Sequence, residues 1–333
     1  MRSSRLWIFL GMSILAFSVR ADVMGDARAA LAQFRQQVFD AQKAAIANDV
    51  KAANEQAAKA EESLGKARKL FEDAGAETSQ DADVLQEYAE VLMATSDYDL
   101  AAGILERATD LRPQDGKLWI TLGEARSKYD TDLKRTVEVL RKAVELGRPS
   151  EAAQAEVALA GVYQRAGLHD LAEEAHRKAV DLDPKNVAAQ AGVALDMVRQ
   201  GRILEGGRAL DSLQDLPQEV AANLPQSIAE AMASFAQSKR CFPDTAENHL
   251  EYAKLLVRSG RVNEALSAAE RSVDLSPDDY TAWNLIGGVK RGLGDIEGAR
   301  AAYGKSLQLK PDQPHTQQLL QSLEQSEPAA PGS

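Results

Sequence analysis

Apolar residues recur along most of the chain at alternating spacings of three and four, the period of helices that bury one face. Val50, Ala53, Ala57, Ala60, Leu64, Ala67 and Phe71 make one such stripe, and Leu31, Phe34, Val38, Ala41 and Ala45 make another just before it. Asn48-Asp49 between them offers a break and an N-cap, so residues 26–73 are predicted to form an antiparallel helical hairpin. Ala at so many seam positions buries little area. That favours a hairpin docked on its neighbour, as a cap or an irregular repeat, over the alternative of a coiled-coil dimerisation arm.

Further on, the pattern repeats. Tyr252-Ala253, Gly260, Ala265, Ala269 and Pro277 are matched 34 positions later by Ile286-Gly287, Gly294, Ala299, Tyr303 and Pro311. A period of this length marks stacked helix pairs, each too small to bury its apolar faces alone. Small residues (Ala253 and Ala265, Gly287 and Ala299) fall where two helices press together at the usual ~8 to 10 Å. Gly260 and Gly294 sit where the first helix of each pair must end in a left-handed backbone. Pro277 and Pro311 stop the second helix.

The same offsets recover earlier units. They carry Tyr88-Ala89, Ala101, Leu105 and Pro113; then Trp119, Leu122-Gly123, Leu140 and Pro149 after a one-residue shift within 129–136; then Leu159-Ala160, Gly167, Ala172 and Pro184. A weaker unit begins at Val187 with Gly201, Gly206 and Leu210, and its Pro217 arrives one residue early. From there to Asp244 the register is poor, and Leu224-Pro225 is predicted to begin the second helix of a distorted unit.

Trp283 three residues before Ile286-Gly287 completes a pattern that resembles the tetratricopeptide repeat (TPR) family, over Ala82 to about Pro217 and Ala246 to Asp312. The resemblance implies an all-α, right-handed superhelical solenoid of helix-turn-helix TPR units, with the N-terminal hairpin before it and a C-terminal capping helix after it. The expected organisation is a signal peptide at 1–21, the hairpin at 22–78 and a first TPR block of about four repeats at 79–217. A degenerate repeat or helical insertion at 218–245, a two-repeat block at 246–313, the capping helix at 314–325 and a disordered tail at 326–333 follow.

Charge and composition narrow the partners. The formal charge of −11 disfavours nucleic acid, since an acidic surface repels phosphates. Arg2 and Arg5 followed by the apolar run Leu6–Val19 and by Val19-Arg20-Ala21 read as a cleavable export leader, whose removal takes the charge to −14. Fourteen residues rise only ~21 Å as a helix, too little for a permanent span, although an uncleaved anchor is an alternative. The periplasm is the expected compartment, with secretion or an uncleaved anchor as the other outcomes. The single cysteine, Cys241, has no partner in the chain and is expected to be buried.

The resemblance implies a peptide-binding inner wall built from the first helix of each pair. Gln86, Glu90, Thr121 and Ala158 stand where a Lys/Asn set would clamp a C-terminal carboxylate, so that mode is disfavoured. Instead Glu87, Glu90 and Glu124 predict an acidic entrance, and Val157, Ala158, Gly161, Gly192 and Leu195 a small apolar floor. Lys128, Arg165, Arg199, Arg258 and Arg291 form a row near the ends of successive first helices, able to hold acidic peptide groups or an anionic envelope polysaccharide. The helix macrodipole alone favours cations there, by ~0.3 to 1 kcal/mol.

Catalytic chemistry is thin. His169 and His176 lie seven apart with Glu173 between them, but no Cys or further His joins them. Phosphate loops, nucleophile elbows and zinc signatures are lacking, and neither enzyme nor cofactor is expected. The expected function is a non-catalytic scaffold that binds a peptide or partner protein for assembly or retention of an envelope complex. Self-assembly through the hairpin or stack ends is the alternative.

Overall fold

The computed structural model describes residues 3–325 apart from 48, 131, 214, 215, 217, 239 and 240, with side chains from residue 22 onward except those of 46, 218, 219, 324 and 325. The predicted tail at 326–333, the break at Asn48 and the early Pro217 lie outside the described residues. The described chain is helical, with no strand among the described residues, and divides into two compact units, Met1–Asp183 and Pro184–Ser333.

The first unit opens with α1 (Ser3–Ile46) and α2 (Val50–Asp73), an antiparallel pair whose turn is closed by Asp49, the N-cap of α2, accepting from the Ala52 amide. Three helix pairs follow: α3 (Ala82–Ala94) with α4 (Tyr98–Leu111), α5 (Gly116–Tyr129) with α6 (Leu133–Leu146), and α7 (Pro149–Arg165) with α8 (His169–Leu182). Ala27, Ala30 and Leu31 of α1 and Ala67 and Phe71 of α2 enter the same core as Leu85, Tyr88 and Leu92 of α3, so the root of the hairpin is a structural part of this unit. Pro149 is the first residue of α7, a position where its missing N–H is not needed. That helix therefore starts four residues before the repeat register expected at Ala153.

The second unit holds α9 (Val187–Arg199) with α10 (Ile203–Ser212), the single helix α11 (Gln218–Gln237), α12 (Ala246–Arg258) with α13 (Val262–Leu275), α14 (Tyr280–Gly292) with α15 (Ile296–Leu309), and α16 (Pro314–Gln325). Leu224-Pro225 does not begin a helix, contrary to the sequence expectation: α11 starts at Gln218 and runs through Pro225. Pro225 and Ala221 are both solvent-exposed, so the helical bond that proline cannot make to Ala221 is lost where water can replace it.

Local chemistry repeats with the fold. Gly167, Gly201, Gly260 and Gly294 end α7, α9, α12 and α14 at φ of 72°, 83°, 77° and 81°, the left-handed region that a Cβ disfavours. Side chains at one position of four helices each donate to a proline carbonyl six residues back: Trp119 Nε1 to Pro113 (2.9 Å), Gln190 Nε2 to Pro184 (2.7 Å), Trp283 Nε1 to Pro277 (2.8 Å) and Gln317 Nε2 to Pro311 (2.9 Å). This bond ties each first helix to the turn before it. Gln317 lies in α16, so the terminal helix begins as a further first helix would.

Gly287 explains one of the small positions. A Cβ there would lie 2.6 Å from the Tyr303 ring, which is fully inside the α14–α15 contact. Cys241 is exposed, against expectation, because it falls in the non-helical link between α11 and α12 and contributes no side chain to either packed helix.

Candidate functional site

In each helix pair of a stack, the first helix lines one side and the second helix the other, and the predicted site residues all fall on first helices. The two units contain different environments for them.

In the first unit the predicted acidic entrance is used internally. Arg28 Nε of α1 donates to Glu87 Oε2 at 2.7 Å, and Arg35 Nε donates to Glu90 Oε1 at 2.8 Å, both carboxylates being on α3. The pairing holds both guanidinium groups more firmly protonated, raising their pKa. Arg28 and Arg35 are seven residues apart, two helical turns, and so are matched to Glu87 and Glu90 one turn apart by the slant of α1 across α3. Exposed pairs of this kind add little stability, but they remove two negative charges from any field a partner would meet.

Further along the first unit, helices α5 and α7 pack side by side. Val157 and Gly161 of α7 are half-buried, as are Thr121 of α5 and Ala158 of α7, and Lys128 and Arg165 are exposed at the C-terminal ends of the two helices. A Cβ on Gly161 would lie 3.9 Å from Arg165 Nη1, so the guanidinium folds back one turn over the glycine. Among the described residues neither Lys128 nor Arg165 meets a carboxylate within ion-pair distance. Glu124 sits one turn before Lys128, exposed.

A second cleft lies on the other side of α5, between α4 and α6, with a volume of about 460 Å³. Arg126, only 3 % exposed, donates to Glu106 and, at 2.8 Å, to Asp130, while Arg135 reaches the same Glu106 at 3.0 Å and Lys142 stacks on Trp119 at 4.5 Å. Its charges are largely consumed by one another. Nothing in the apolar periodicity marks Arg126 as buried, and only the i, i+4 spacing to Asp130 hints at it.

In the second unit the predicted floor is closed. Gly192 is buried, and Leu195, 7 % exposed, shares one core cluster with Leu224, Ile228, Ala231, Met232 and Phe235 of α11. The C-terminal end of α11 meets the ends of α9 and α12: a Cβ on Gly201 would lie 2.9 Å from the Phe235 ring, and Ser259 Oγ lies 4.0 Å from Met232 Sδ. α11 therefore runs in the same sense as α9 and α12 and occupies a first-helix place between them, with no second helix of its own. α10 packs directly on α12, where Arg208 reaches Glu247 at 3.2 Å and Arg258 reaches Asp211 at 3.0 Å.

The cationic row is thereby divided. Arg199 is paired with Asp196 at 2.6 Å and Arg258 with Asp211, whereas Lys128, Arg165 and, on α14, Arg291 are exposed without such a partner among the described residues. His169 is exposed and His176 buried on α8, two turns or ~10.5 Å apart along the axis, too far to share one ion. No group of three or more metal-ligating side chains occurs among the described residues. Nor is any helix among them long and apolar enough to cross a membrane.

Family models described as tetratricopeptide repeat match residues 58–125, 153–186 and 250–314, between them about half of the chain. The first match begins inside α2, so the hairpin's second helix shares the repeat pattern. A stretch of 67 residues is 39 % identical to the Hsp70-Hsp90 organizing protein of Triticum aestivum, covering 19 % of this chain and 12 % of that protein. Solved structures with similar folds include a tetratricopeptide repeat protein from Parabacteroides merdae, 14 % identical, covering 88 % of this chain and 99 % of that one with a TM-score of 0.38. Another is YrrB, a TPR protein with an unusual peptide-binding site, 14 % identical, covering 75 % and 97 % with a TM-score of 0.32. From the matched family models, the left-handed glycines that end the first helices and the recurring bond to the proline carbonyl, the chain belongs to the tetratricopeptide repeat family.

Proposed function

We propose that this protein is an exported, periplasmic scaffold that binds a peptide segment of a partner protein on the α5–α7 face of its first unit, in assembly or retention of an envelope complex. Interaction with other proteins is the general role of tetratricopeptide repeats, and the export leader at 1–21 supports the compartment. The observation that carries the choice of face is the division of the first helices. α3 is engaged by α1 through Arg28 and Arg35, and α9 by α11 through its apolar side, while α5 and α7 keep half-buried small side chains beside the unpaired Lys128 and Arg165.

The small residues matter because a partner backbone gains contact with the helix surface only where side chains are short. The two cations then fix its direction, since each holds a carboxylate or a helix-end carbonyl at one edge of the face. Affinity capture from envelope extract, read by mass spectrometry against a Lys128→Glu, Arg165→Glu double variant, tests this. Recovery of a specific partner at least about tenfold reduced in the variant is expected, equivalent to ~1.4 kcal/mol. A partner retained equally by both proteins would remove the α5–α7 face, and no specific partner at all would remove the scaffold itself.

A further inference from the structure

The tip of the α1–α2 hairpin extends beyond the core that holds its root. Between Ala32 and Lys59 no described side chain is buried, although Leu31 before this stretch and Ala60 after it both are. Within the stretch lie Phe39 and Val50, 59 % and 64 % exposed, the two highest values for any large apolar side chain among the described residues. Over residues 36–59 α1 and α2 pack only on each other, and no other element covers their outer sides.

From this we infer that the hairpin tip is a self-association surface, whose occupant is the same tip of a second copy of this chain. Charge identifies the occupant. Residues 36–59 carry Asp40, Asp49 and Glu55 against Lys43, Lys51 and Lys59 and are neutral, in a chain of net charge −11. At a neutral tip, two copies of an acidic chain meet without repulsion between the segments in contact. A neutral tip also gives no field to draw in an acidic or basic partner. The sequence of the exposed side is self-complementary as well: with two α1 helices antiparallel about a two-fold axis near residues 41 and 42, Asp40 of each copy faces Lys43 of the other.

The contact is small. The α1 part of the tip, residues 36–46, is ~16 Å long, and two such hairpins side by side bury on the order of 1,000 Å² in total, the lower end for specific interfaces. Association is therefore reversible and concentration-dependent. Sedimentation velocity of the full chain over roughly 1 to 200 µM, the range that brackets micromolar affinities, reads it directly. The mass is expected to move from one chain towards two, and Phe39→Glu with Val50→Glu is expected to weaken association at least about tenfold at unchanged helix content. A single chain throughout the range, or a double variant that associates as the parent does, overturns the inference. Should the variant lose its helices, Gln42→Cys in a Cys241→Ser background decides: it is expected to form a disulfide-linked pair of chains, and Lys305→Cys in the same background is not. Equal cross-linking of the two, or none, overturns the inference as well.

Discussion

Phe235→Ala is expected to destabilise the second unit by about 3 to 5 kcal/mol, the usual result of removing a buried aromatic ring whose surroundings cannot collapse. Phe235 is 6 % exposed, and its ring closes the space beside Gly201, where the left-handed turn after α9 leaves no Cβ. The ring also stacks towards Phe242, with centroids 6.0 Å apart, and Phe242 lies 5.2 Å from Tyr252 of α12. The ring thus ties α11 directly to the end of α9 and, through Phe242, to α12. Urea unfolding followed by circular dichroism measures the loss, with Gln226→Ala on the exposed side of the same helix expected within about 0.5 kcal/mol of the parent. A cost below ~1 kcal/mol for Phe235→Ala would mean that α11 is a loosely attached connector.

Gly206→Val carries the next largest expected effect, about 3 kcal/mol of lost stability. In an ordinary helix interior, replacing Gly by a residue with a side chain is favourable, by about 1 kcal/mol for Ala. At Gly206 that gain is outweighed, because a Cβ would lie 2.7 Å from the Ala194 carbonyl oxygen, 2.8 Å from Val198 Cγ2 and 3.1 Å from the Val198 amide nitrogen. Two of those atoms are backbone, so only separation of α10 from α9 relieves the contact. Gly304→Ala supplies the opposite sign: nothing lies within 4 Å of its Cβ position on α15, and a gain of roughly 1 kcal/mol is expected. Thermal and urea midpoints of the two variants should move in opposite directions. Equal shifts would show that the approach of α9 and α10 is not tight.

These residues show what periodicity carries and what it leaves out. Gly260, Gly294, Trp283 and the repeat prolines were legible because their roles are local: a left-handed turn, a bond six residues long, a helix stop. Gly287 was legible too, since a small residue at a regular offset implies a close helix crossing. The candidate face was less so. Helical phase says which side of α3 carries Glu87 and Glu90, but not that Arg28 and Arg35, 59 and 55 positions away, neutralise them. From sequence alone the floor at Gly192 and Leu195 is expected to be open for the same reason. An apolar first-helix surface is free or buried according to its neighbour, and that neighbour is α11, whose sequence predicts a helix start at Leu224-Pro225 where the helix instead runs through. Proline interrupts one hydrogen bond, and on the exposed side of a 20-residue helix with a strongly apolar opposite side the interruption is tolerated.

The placement of α11 in the first-helix row of the second unit is the central point, because it covers the apolar side of α9, whereas the proposed face on α5 and α7 of the first unit has no such cover. Native-state hydrogen exchange resolved along the chain tests it most directly. The account expects the amides from Ile228 to Phe235 to be protected as strongly as those of α9, exchanging only when the second unit opens as a whole. Exchange of that segment at the rate of an unprotected peptide, while α9 stays protected, would contradict it.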